Sequence, residues 1–210
     1  MYIRRVVGSL LLVVGLGILF YPQIEKKAYH KEQQDLLDAF ERLGTIEESE
    51  QPVVDGEIKD EVGSTADSEE ADLLEGVTGL LQIEKIDLKI AIFDSSSVEA
   101  LTKGVGMIEP EKQFGMNNIG IAGHRSVTHG KQFNRLREVE PGDTATVVTT
   151  DGTFEYVITD SFVVHQSEVS VLDDQEDPLL TLVTCTPLGS RNPPYRLIVQ
   201  GKLVNGQGEK

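Results

Sequence analysis

The chain predicts a mainly β protein, a closed β-barrel of about seven to eight strands with short helices, preceded by an N-terminal transmembrane helix. Three observations carry this. Residues 80–210 hold seven short apolar runs with turn residues between them, the pattern of an all-β barrel. Asp151-Gly152 sits between two of the longest runs, a strong hairpin signal. And from Val6 to Tyr21 there is no charged residue at all.

The N-terminal segment comes first. Residues 6–21 span about 24 Å as a helix, short of a hydrocarbon core of roughly 30 Å. Including Ile3 to Arg5 brings the span to about 28 Å, if the arginine stems snorkel. The run ends Ile18-Leu19-Phe20-Tyr21-Pro22 with no small-x-small pair, so an uncleaved anchor over residues 1–22 is expected rather than a removed signal peptide. Arg4 and Arg5 before the segment, against Lys26 and Lys27 partly offset by Glu25 after it, favour a cytoplasmic N-terminus. A single-pass protein of the cell membrane, with its remaining residues outside the cell, is the expectation.

Residues 23–43 read as a juxtamembrane helix, with Ile24, Ala28, Leu36, Phe40 and Leu43 near one face. A solvated stalk or a weak self-association seam is the role expected of it. Residues 44–78 read as an acidic flexible spacer. Over 44–79 twelve acids face Lys59 alone, and such a segment buries too little apolar surface to offset its ordering entropy. The body is residues 79–210. Its expected strands are Leu80–Ile83, Leu88–Phe93, Asn118–Gly123, Thr144–Thr150, Thr153–Val164, Leu179–Thr184 and Arg196–Val204. Short helices are expected at Val98–Lys103 and Gln132–Val139, the second stopped by Pro141-Gly142.

Composition excludes some functions. A net charge of −16 argues against a nucleic-acid partner, since phosphate affinity needs clustered Lys and Arg. One cysteine excludes an intrachain disulfide framework and a Cys-rich metal site. That cysteine, Cys185, ends the run Leu179-Leu180-Thr181-Leu182-Val183-Thr184, and Thr186-Pro187 stops the strand behind it. A thiol at a strand mouth is rigid yet reachable, as a nucleophile should be; a lone cysteine is otherwise usually a core residue. His124 ends another strand and is the candidate proton donor, ahead of His30, His129 and His165. Arg196 opens the last strand, where a guanidinium can hold an oxyanion; Arg191 competes with it.

Thr181-Leu182-Val183-Thr184-Cys185, the upstream Ala122-Gly123-His124 and the downstream Arg196 together resemble the sortases, membrane-anchored cysteine transpeptidases of Gram-positive bacteria. The resemblance covers about residues 79–204. It implies a sortase-type barrel with a groove leading to Cys185, and surface proteins bearing a Leu-Pro-x-Thr-Gly-like C-terminal sorting signal as substrates. Cys185 would attack the Thr carbonyl, His124 would protonate the leaving amine, and a peptidoglycan-precursor amine would resolve the thioacyl enzyme. Arg196 would stabilise the oxyanion or orient the signal. Ala122, Thr181, Val183 and Thr184 would bind the signal near the nucleophile.

Pilin-assembling sortases often carry an upstream lid with Asp, Pro and an aromatic; residues 44–78 hold no such string, which points to a housekeeping class A-like or class D-like enzyme. No cofactor is expected. Some sortases bind Ca²⁺ through acidic loops, and Glu109, Glu111, Asp173, Asp174 and Asp177 are the weak candidates here. A thiol hydrolase of the same fold, a pilin-polymerising sortase, and a non-enzymatic anchored domain with a structural cysteine are the alternatives.

Overall fold

The computed structural model describes residues 31, 33–40, 42 and 74–208. The expected anchor and residues 44–73 of the expected spacer lie outside these. No helix among the described residues is long and apolar enough to cross a membrane.

The barrel is built from β1 (Val77–Ile83), β2 (Leu88–Phe93), β3 (Val105–Met107), β4 (Asn118–Gly123), β5 (Thr144–Thr149), β6 (Gly152–His165), β7 (Leu179–Thr186) and β8 (Tyr195–Gly208). These eight close in the order β1-β2-β3-β4-β7-β8-β6-β5. Seven of them correspond to expected strands. β3 is the addition: only three residues long, it pairs parallel to β2 and antiparallel to β4 and fills the gap that would otherwise open the barrel. Gly106 is required within it, because a Cβ there would lie 2.0 Å from the Ser95 carbonyl oxygen. The expected helix at Val98–Lys103 is present as α1, capped by the Ser97 side chain, which accepts from Ala100 N. The second expected helix is a 3₁₀ segment, Phe133–Glu138.

Alternation sorts the strands. Leu81, Ile90, Ile92, Ile119, Ile121, Leu180, Leu182, Leu197 and Val199 point into the barrel and form the main core. On β1 and β2 the outward residues are apolar as well, and Leu80, Ala91 and Phe93 need a cover. Residues 33–40 supply it. They are helical, and Leu37 and Phe40 pack with Leu80, Ala91, Phe93 and Ala100 in a second cluster. Gln33 Nε2 also donates to the Lys103 carbonyl at the end of α1. The reading of this stretch as a solvated stalk or self-association seam is thereby corrected for its described residues: it is a docked helix. The folded body also begins earlier than residue 79, since Leu74 and Val77 pack against the same cluster.

Candidate active site

β4 and β7 run parallel and in register, from Asn118 beside Leu179 to Gly123 beside Thr184. β8 runs antiparallel to β7 and places Arg196 beside Cys185, Ile198 beside Val183 and Gln200 beside Thr181. β6 continues the sheet, with Val164 beside Arg196, Phe162 beside Ile198 and Asp160 beside Gln200. Since Leu180, Leu182, Ile119 and Ile121 point inward, the alternate residues share the outer face. That face carries three rows. The first is Gly120, Thr181, Gln200 and Asp160. The second is apolar: Ala122, Val183, Ile198 and Phe162. The third brings His124, one residue past the paired stretch, alongside Cys185, Arg196 and Val164.

Cys185 and His124 thus each follow directly on the last β4–β7 pair, Gly123 beside Thr184. Cys185 is half-buried and His124 is exposed. The flanking residues cross-link the two ends. Thr184 Oγ1 donates to the Gly123 carbonyl at 2.7 Å, just before both residues. Arg125 Nη1 donates to Thr186 Oγ1 at 2.8 Å, just after both. Phe133 N donates to the His124 carbonyl at 3.1 Å and anchors the loop from behind. Burial, together with the charge of Arg137, pushes the Arg125 guanidinium below its ordinary value. The bracketing of His124 and Cys185 by two hydrogen bonds was not read from the sequence, although Arg125 directly follows His124.

Arg196 lies beside Cys185 in register, but two of its hydrogen bonds hold its own turn: Nη1 donates to the Pro193 and Tyr195 carbonyls at 2.8 and 2.9 Å. Nη2 reaches Gln166 Oε1 at 3.3 Å. The competing residues stand apart. His129 and Arg191 are exposed in loops. His165 is bonded to Ser167 and stacked edge-on against Tyr195, with β8 between β6 and β7. His30 lies outside the described residues.

Two of the expected signal-binding residues are corrected. Thr181 is fully buried; its hydroxyl donates to Asn118 Oδ1 at 2.7 Å and accepts from Gln200 Nε2 at 3.0 Å. Thr184 is buried and committed to Gly123. Thr184 supports the platform from beneath, and Thr181 lies within its first row, held by Asn118 and Gln200. Ala122 and Val183 are half-buried on the outer face. Phe162 and the buried Ile198 complete their row, as the alternation of β6 and β8 requires.

The acidic candidates do not gather into a calcium site. Asp177 is paired with Lys202 at 2.9 Å, and Glu111 and Asp173 are exposed in loops. Glu109 and Asp174 do approach one point, and a lysine is there: Lys112 Nζ lies 2.9 Å from Glu109 Oε2 and 3.4 Å from Asp174 Oδ1. It also donates to the Leu172 carbonyl at 2.7 Å. An ammonium ion among these oxygens opposes a divalent cation, so the residues present do not fit Ca²⁺. Among the described residues, no cluster of three or more His, Cys, Asp or Glu side chains could hold a metal ion.

Comparison with known proteins gives the family. The sortase domain family matches residues 81–204, more than half of the chain and nearly all of the barrel. The chain belongs to the sortase family. Sortase A of Bacillus anthracis is 25% identical over 209 residues, covering 99% of this chain and 98% of that one. Sortase D of Bacillus subtilis is 32% identical over 130 residues, covering 60% of this chain and 64% of that one. The solved structure of Streptococcus pneumoniae sortase C superposes with a TM-score of 0.58 at 25% identity, covering 84% of this chain and 92% of that one. Sortases are an enzyme family of transpeptidases that act on surface proteins.

Proposed function

We propose that this sortase is a membrane-anchored cysteine transpeptidase that cleaves a Leu-Pro-x-Thr-Gly-like sorting signal after Thr. The single observation behind this is the row of His124, Cys185 and Arg196 on three adjacent strands, at the open end of an apolar platform. The Cys185 thiolate attacks the Thr carbonyl carbon, forming a C–S bond and a tetrahedral oxyanion. Collapse breaks the C–N bond, and His124 gives its proton to the departing amine. An amine, taken here as that of a peptidoglycan precursor, then attacks the thioester; His124 recovers a proton and the thiolate leaves. Arg196 steadies the oxyanion or the signal's backbone, using donor capacity not committed to its own turn. Ala122, Val183 and Phe162 form the apolar floor on which the signal lies, with the buried Ile198 packed between Val183 and Phe162. Residues 1–22 hold the enzyme in the membrane with the barrel outside the cell.

A class A-like or class D-like anchoring role is preferred over pilin polymerisation, because residues 44–78 lack the Asp-Pro-aromatic string of a lid. The test uses the full chain in detergent micelles with a panel of signal peptides and an added amine. Mass spectrometry is expected to find an acyl adduct on Cys185 and a Thr–amine amide. An adduct that yields only acid moves the reading to a hydrolase. No adduct with any signal on a folded protein overturns it.

A further inference from the structure

Lys112 lies in the 108–117 loop between β3 and β4, yet it holds the 166–178 loop between β6 and β7. Its ammonium meets three oxygens from these two loops: Glu109 Oε2, Asp174 Oδ1 and the Leu172 carbonyl. The Glu109 oxygen is buried, and Lys112 is the counter-charge 2.9 Å from it. Burial by itself would depress the lysine, but the hydrogen bond and charge of Glu109, then those of Asp174, outweigh it and hold Lys112 above its ordinary value. The tie continues inward. Asn118 N donates to Asp174 Oδ1 at 2.9 Å, and Asn117 Nδ2 donates to Asp174 Oδ2 at 3.1 Å. Asn118 Nδ2 donates to the Val171 and Asp173 carbonyls, both at 3.0 Å, and Gln200 Nε2 donates to Val171 at 3.1 Å. The held segment, Val171–Asp174, lies over the outer face of β4. A Cβ at Gly120 would stand 2.7 Å from a Leu172 methyl and 3.2 Å from Ile108. Leu172 and Ile108 therefore meet above the first row of the platform, at the end away from Cys185.

We propose that Lys112 is a built-in cation that closes the β6–β7 loop over the platform, so that this sortase binds its signal peptide without a divalent metal. Two acidic groups from different loops facing one point repel each other unless a cation lies between them. A metal ion placed there would need free carboxylates, and a covalently tethered ammonium already neutralises them. Because it is part of the chain, it holds the loop whatever the external calcium concentration. Lys112 touches no reacting atom in this proposal. It is a positioning residue, acting through Leu172 and Asp174 on the wall of the groove.

The peptide-binding half of the proposal rests on the transpeptidase reading above, and the test separates the two. In the full chain, the thermal midpoint and the signal-peptide KM are expected to be the same with EDTA and with millimolar calcium. Lys112→Gln raises KM about five-fold with kcat held, and calcium does not restore it. Lys112→Glu replaces the ammonium with a third carboxylate. Its KM rises in EDTA, and calcium both restores KM and raises the midpoint.

A readout without turnover is cleavage by a Glu-specific protease at Glu168 and Glu176 in the held loop. Cleavage is expected to be slow in the wild type, fast in Lys112→Gln, and slowed by calcium only in Lys112→Glu. If no peptide reacts, the transpeptidase reading fails while this protease arm still decides the clamp. A wild type whose midpoint, KM or cleavage rate responds to calcium overturns the clamp. So does a Lys112→Gln variant with wild-type KM and cleavage.

Discussion

The two ends of the β4–β7 pair are tied in opposite ways. At the end that carries His124 and Cys185, the ties are short hydrogen bonds from Thr184 to Gly123 and from Arg125 to Thr186. At the far end, where the loops meet above Gly120, hydrogen bonds from Asn118 are joined by charges: Lys112 with Glu109 and Asp174. Buried hydrogen bonds with a fixed partner set a distance and change little with salt or mild pH. Partly buried ion pairs are still screened by salt, which a hydrogen bond between neutral groups is not. The difference suits the division of labour. The chemical end needs a spacing held to a fraction of an ångström, whereas the binding end needs a loop that stays closed and still admits a peptide.

The largest expected effect tests what the chemical end does. Cys185→Ala loses the acyl adduct and about 10⁴-fold or more of kcat/KM at an unchanged thermal midpoint. A large fall in midpoint instead would make the cysteine structural. His124→Ala is expected to cost about 10³-fold in kcat on the same folded protein.

Next comes the bracket itself. Thr184→Val is expected to lower kcat about tenfold and stability by about 1 kcal/mol, with KM unchanged. Steady-state kinetics on that variant, showing a KM effect and no kcat effect, would erase the distinction between the two ends.

Salt separates the ends without mutation. Raising the ionic strength from about 0.15 M to about 1 M shortens the screening length from about 8 Å to about 3 Å. KM is expected to rise two- to three-fold, roughly, while kcat holds, because the ion pairs between opposite charges lie at the loop end. Equal sensitivity of both constants would break the comparison.

The smallest effect is an acid limb. The backbone N–H of Asn118 first, then Asn117 and Lys112, hold the Asp174 carboxyl below its ordinary value against the opposing effect of burial. A depressed carboxylate stabilises the folded state fully above its unfolded value of about 3.9 and loses that contribution as pH falls through the folded value. Thermal midpoints followed from about pH 6 to about pH 2 should therefore fall less steeply in Asp174→Asn than in the wild type. Identical slopes would mean that Asp174 carries no weight in the loop tie.

The legible parts of this protein are those whose signals are local. Period-two alternation and turn residues located seven of the eight strands, and Thr150-Asp151 forms the tight turn next to the expected Asp151-Gly152 signal. Cys185, His124 and Arg196 were legible as candidates because each stands at the end of an apolar run. β3 was not, since Val105-Gly106-Met107 is too short to show a period and is a strand only because β2 and β4 flank it. The docked helix was half legible. Its periodicity was plain, but its partner, the outward face of β1 and β2, lies about forty residues away in sequence. Thr181 and Thr184 were given to the substrate because a strand motif shows which residues alternate but not which hydroxyls are already engaged.

By itself, the sequence determined the barrel class, the strand ends and the residue types that can carry thiol chemistry, because alternation, turn chemistry and strand termination are written over a few neighbouring residues. Only the tertiary structure decided that His124, Cys185 and Arg196 share one row, that Arg125 and Thr184 bracket the thiol, and that Lys112 fills the space between two acidic loops. Each of those depends on register and on contacts between residues some sixty positions apart. A strand displaced by one residue would keep every local signal and turn each of these side chains to the opposite face.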